Sequence, residues 1–150
     1  MKYRIARAES ERGAALVEAA IVLNLLSLLL VGIIAFGVLL GYQQTLIHAT
    51  SDAARAASVT KDKDEQTTRA LAAIEQVLSA TSRSCSDVAV SCEVSEASEC
   101  ELDPASFCRT IRVQHDHDID PVVPRLPLLS AALPHRSSAE VVVTVGGSFE

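Results

Sequence analysis

From residue 19 to residue 42 the chain carries no formal charge and consists mainly of Leu, Ile, Val and Ala, with polar side chains only at Asn24, Ser27 and Tyr42. As a helix these 24 residues rise about 36 Å, against about 30 Å of bilayer hydrocarbon. A buried helix of a soluble protein would show a polar face over such a length. A cleaved secretory signal would have an apolar core of roughly 7 to 15 residues followed by a small-x-small site, whereas this run continues into helical sequence. The pattern predicts a membrane-spanning helix over residues 14–42.

After residue 42 the apolar positions become periodic. Leu46, Ala49, Ala53, Ala56 and Ala57 recur at helical spacing in a stretch without Pro or Gly, so the helix is expected to continue as a stalk over residues 43–58. A charged break follows at 59–64. A second helix is expected over 65–79, capped by Asp62 or Asp64, with Ala70, Leu71, Ile74, Val77 and Leu78 as its apolar stripe. The period then changes to two. Val88, Val90, Cys92 and Val94 predict one strand, and Arg109, Ile111 and Val113 a second after a loop at 95–106. Residues 120–134 hold Pro121, Pro124, Pro127 and Pro134 and read as an extended loop, and 139–145 as a final strand. The expected class is α+β: a long N-terminal helix, a short second helix and a small antiparallel sheet with a disulfide-bearing loop. Its divisions are a leader at 1–13, the membrane helix at 14–42, the stalk at 43–58 and an extracytoplasmic domain at 59–150.

Charge and cysteines sharpen the topology. Lys2, Arg4, Arg7 and Arg12 precede the apolar run, which places the N-terminus in the cytoplasm and the C-terminal domain outside. Cys85, Cys92, Cys100 and Cys108 lie within 24 residues. Their intervals lack the C-x-x-C pairing of small zinc sites, and with the extracytoplasmic placement they imply two intramolecular disulfides. Four cysteines allow three connectivities, and the spacing does not choose among them. A net charge of −6 with no Trp, two Tyr and three Phe disfavours nucleic acid as a partner. No metal site or cofactor is expected. His115-Asp116-His117-Asp118, the one run with metal-ligating character, is read as an exposed, pH-sensitive loop, and His48 and His135 as surface residues. No nucleophile elbow, phosphate loop or zincin motif occurs, so no enzymatic activity is expected.

The junction Arg12-Gly13-Ala14-Ala15-Leu16-Val17-Glu18 combines a basic leader ending in Gly, small and apolar residues, and one acid at the mouth of the membrane helix. A carboxylate there is costly enough to call for a partner or an interfacial position. The stretch RGAALVEAAIVLNLLSLLLVGIIAFG and the following QQTLIHATSDAARAAS resemble TadE-like proteins, minor pilins or pseudopilins of tight-adherence (Flp) pilus systems related to type IV pilins. The resemblance covers roughly residues 12–58 and is loose beyond. It implies cleavage between Gly13 and Ala14 by a prepilin peptidase, and makes Glu18 the acid at the fifth position after the cut. Expected partners are that peptidase, other pilins or pseudopilins, inner-membrane assembly proteins and membrane lipid. The expected location is the inner membrane as a single pass, and in or on the pilus. The chain departs from the family pattern at Ala19, where Phe or Tyr is common, and at Asn24, where Pro is common. Asn24 has two readings: a bond to a neighbouring helix, or one to its own backbone or a water. Gly37 and Gly41 form a small-xxx-small pair suited to close helix approach. The alternative function is an uncleaved, signal-anchored binding or adhesin domain.

Overall fold

The computed structural model describes residues 2–101, 103–124 and 133–145, with the backbone alone for 2–12. Two helices, α1 (Lys2–Val59) and α2 (Lys63–Ser79), precede four strands, β1 (Val90–Val94), β2 (Ser98–Glu99), β3 (Phe107–Asp116) and β4 (Arg136–Val145). This is the expected α+β arrangement, with differences of extent. Helix α1 starts at Lys2 rather than near Ala14, because residues 2–13 contain no proline and are rich in good helix formers. Val88 lies outside β1 and is 87% exposed. Within the stretch read as a loop, Ser98–Glu99 forms the short strand β2. Part of the proline-rich loop, residues 125–132, lies outside the described residues.

The chain divides into two units, residues 1–37 and 38–150. In the first, the side chains from Gly13 onward are exposed almost all round α1: Leu25 and Ile33 are both 62% exposed. Helix Gly13–Val59 is long and apolar enough to cross a membrane. Such a surface gains nothing from water and is satisfied in hydrocarbon. Ser27 disposes of its hydroxyl locally, donating to the Leu23 carbonyl at 2.7 Å.

The second unit builds its core from one face of each element. Helix α1 contributes Tyr42, Leu46, Ala49, Ala53 and Ala57, and α2 contributes Ala70, Ile74 and Leu78. The sheet adds Val90, Ile111, Val113, Ala139 and Val145. Leu46, Ile74, Leu78 and Ile111 are completely buried, each worth about 1.5 to 3 kcal/mol. The start of α2 is fixed by Asp62, whose carboxylate accepts from the N–H groups of Asp64 (3.0 Å) and Glu65 (3.2 Å). That cap starts the helix at Lys63, two residues before the expected Glu65. Its C-terminal end turns through Ser82 at φ 56°, while the N–H groups of Ser82 and Arg83 bond the carbonyls of Ser79 (3.0 Å) and Leu78 (3.2 Å). This is the left-handed turn where glycine is usual.

Strand β3 is central and every pairing is antiparallel. β4 runs along one side of β3 from Phe107↔Val145 to Asp116↔Arg136, while β1 and β2 share the other. From Val94 to Ser98 that edge advances four residues while β3 steps back three, from Ile111 to Cys108. The extra residue makes a bulge. Ser95 stitches it, donating its N–H to the Thr110 carbonyl (2.9 Å) and accepting the Thr110 N–H on Oγ (2.8 Å). Two disulfides, Cys85–Cys92 and Cys100–Cys108, tie short chain segments. The first fastens the segment after α2 to β1, and the second closes the β2–β3 hairpin.

Arg109 on β3 is 6% exposed and joins the sheet to α2. Its guanidinium donates to Gln66 Oε1 (3.1 Å), Thr67 Oγ1 (2.9 Å) and the carbonyls of Ser95 (2.8 Å) and Lys63 (3.2 Å). Fixed neutral acceptors thus replace the water lost on burial.

Candidate functional site

Gly13, Ala14 and Glu18 lie on consecutive turns of α1, and all three are exposed. A Cβ placed on Gly13 would meet no atom within 4 Å, and the same holds at Gly37 and Gly41. These positions carry bare backbone that no described residue covers. Glu18 makes no ion pair among the described residues. Asn24 is exposed, and its side chain makes no hydrogen bond among the described residues.

The described residues hold no group of three or more His, Cys, Asp or Glu placed for a metal ion. Beside the end of α1, Ala56, Val59, Thr60, Lys61, Glu65 and Arg69 line a shallow open cleft. Arg69 Nη2 is already held by Glu65 Oε1 at 2.8 Å. The cleft offers no nucleophile paired with a base.

The second unit contains a polar cluster that differs from the reading of residues 115–118 as an exposed loop. His115 and His117 are 1% and 9% exposed. The alternation of Arg109, Ile111 and Val113 runs on through both, because a strand puts every second side chain on the same face. His115 ends that row inside β3, and His117 follows in the turn, its N–H bonded to the His135 carbonyl at 2.8 Å. Tyr42 Oη lies 2.9 Å from His115 Nδ1, and His115 Nε2 lies 2.8 Å from the Asp120 carbonyl. A carbonyl only accepts, so Nε2 carries the proton and Nδ1 accepts from the Tyr42 hydroxyl. Arg83 sits 4.9 Å from the centre of the Tyr42 ring and donates from Nε to Asp120 Oδ2 at 2.8 Å. The two imidazoles lie 4.9 Å apart, and His117 Nε2 is 2.8 Å from Ser137 Oγ. Burial, the neighbouring His115 and Arg83 hold the pKa of His117 below its usual value, against the opposing pull of Asp116 and Asp120. The Asp118 N–H and Arg136 hold the Asp116 carboxyl below the usual carboxylate range. As expected, His48 and His135 are exposed; His135 Nδ1 pairs with Asp118 Oδ2 at 3.1 Å.

Close by, Gln43 Nε2 donates to the Ser138 carbonyl at 2.8 Å. Tyr42 and Gln43 thus clasp the start of the stalk to β3 and β4. Tyr42, read from the sequence as the last membrane position, is a core residue of the second unit, 5% exposed.

Residues 13–55 match the model of a protein family described as TadE-like protein. The match begins at Gly13 and takes in Glu18, the whole apolar run and most of the stalk. Comparison with curated proteins and with solved structures finds no match.

Proposed function

We propose, on the premise of the TadE-like segment at residues 13–55, that this chain is a pilin-like structural subunit of a tight-adherence pilus system. The observation that carries the reading is the coincidence of that segment with an apolar helix whose single acid, Glu18, has no ion-pair partner among the described residues. A prepilin peptidase cuts after Gly13, leaving a mature chain that starts at Ala14. The remaining apolar helix holds the subunit in the inner membrane as a single pass, N-terminus inside, with the disulfide-bonded unit outside. On assembly into or onto the pilus, Glu18 compensates the new Ala14 ammonium of a neighbouring subunit. The low dielectric of a packed helix bundle strengthens such a pair. Gly37 and Gly41 leave room for the neighbour's backbone, and Asn24 supplies a hydrogen bond across the bundle. Other pilins, pseudopilins and inner-membrane assembly proteins are the partners. The chain contributes packing rather than catalysis.

The N-terminal residue of the protein isolated from membranes tests this. Ala14 is the expected result, and an intact Met1 would return the chain to the signal-anchored reading. Gly13→Leu should abolish processing. Because nothing in the chain lies within 4 Å of a Cβ at that position, the loss would reflect peptidase access rather than internal crowding.

A further inference from the structure

The Tyr42–His115–His117 cluster has no part in the assembly mechanism above, yet it places two imidazoles in the core of the second unit. We propose that these three side chains form a proton-sensitive latch, which holds the start of the stalk helix on the sheet while both imidazoles are neutral and releases it when either is protonated. The latch belongs to the second unit and stands whether or not Gly13 is cleaved.

The geometry defines the closed state. His115 donates from Nε2 to the Asp120 carbonyl and accepts the Tyr42 hydroxyl on Nδ1. A second proton on Nδ1 would face the Tyr42 O–H with an N–H. The hydroxyl would have to turn and give up its donation inside the core, which is costly. His117, 4.9 Å from His115, cannot charge without placing a cation beside the first ring and Arg83.

Every surrounding element supplies a charged or titratable group. Tyr42 comes from α1, Arg83 and Asp87 from the segment after α2, and Asp116 from β3. Asp118 and Asp120 come from the turn after β3, and His135 and Arg136 from the start of β4. Asp116 and Asp120 favour protonation of His117, but Asp116 is engaged by Arg136 and Asp120 by Arg83. Burial acts against protonation and is the largest influence on His117. The sign follows: a base whose folded pKa lies below its usual 6.5 takes its proton first in the unfolded or released state. Stability is full above that value and declines as pH falls toward the folded pKa.

Hydrogen exchange on the full chain in phospholipid nanodiscs, corrected for intrinsic rates, tests the latch between pH 7.5 and pH 5.5. Amides of residues 43–49 should lose protection, and those of residues 70–78 should keep most of theirs. In His117→Gln, which keeps a polar partner for Ser137 but does not titrate in this range, most of the pH step should vanish. Protection independent of pH, or an equal loss in His117→Gln, would overturn the proposal. If that variant does not fold, titration of the wild-type imidazole resonances decides. A His117 midpoint below 6.5 supports the latch, and one at or above 6.5 ends it.

Discussion

Leu25 and Leu46 sit on the same helix, six turns apart, and behave as opposites: one is 62% exposed and the other fully buried. Around Leu25 the positions are apolar on every side of the helix apart from Asn24 and Ser27, so no broad polar face is distinguished and the surface needs an apolar medium. Around Leu46 the apolar positions recur every three or four residues between polar ones. One face then seals against α2 and the sheet, while the other stays wet. Hydrophobicity alone does not decide what a residue packs against; its angular distribution does. The same contrast governs polar groups. Glu18 makes no ion pair among the described residues, whereas buried Arg109 has four acceptors in the second unit.

The comparison breaks most visibly at Glu18. Glu18→Ala should leave processing and membrane levels unchanged yet abolish surface pili, with Glu18→Asp retaining more than Ala. Counting pili at equal membrane protein checks this, and normal piliation in the Ala variant would remove the proposed charge pairing. In the second unit, Ile111→Ala should cost about 2 to 5 kcal/mol, because it opens a cavity in a completely buried site. Leu25→Ala should change the unfolding midpoint of that unit by less than about 0.5 kcal/mol, as a surface change remote from its core does. Denaturant melts of the two variants, followed by circular dichroism, measure both. Replacing Cys85 and Cys92 together by Ala should destabilise the second unit by about 2 to 3 kcal/mol, as expected for closing so short a loop. Ser82→Gly should raise the same midpoint by about 0.5 to 1 kcal/mol, because glycine removes the left-handed strain at φ 56°.

Much of this was legible from spacing. The long apolar helix follows from an uncharged run, and the stalk face, the stripe of α2 and the alternation at 109–113 follow from side-chain period; the structure contains each of these elements. What escaped depends on partners distant in sequence. β2 spans two residues and exists because Phe107 and Cys108 offer it a ladder, a signal no local window contains. Spacing leaves three disulfide pairings open, and the structure has the sequence-adjacent one: the turn from Ser84 to Val90 brings Cys85 to Cys92, and the β2–β3 hairpin brings Cys100 to Cys108. His115 and His117 lie in the core rather than in an exposed loop, because strand β3 runs on past Val113 and its inward face passes through His115. The row 109, 111, 113 points through them, and Arg109 shows that polarity does not prevent burial on that face. At the N-terminal junction the residues themselves carried the signal, and the family match covers that segment.

The bond from Gln43 to the Ser138 carbonyl joins positions 95 residues apart, and this dictates an order of events during folding. The disulfides close loops of seven and eight residues and need only local chain, so they are available early. The stalk's buried face, by contrast, is sealed in part by β4, and long loops must close before that contact forms. A folding chain therefore carries an exposed, alanine-lined helix face until β4 has docked, and over that interval the face is the largest apolar surface the second unit has still to cover.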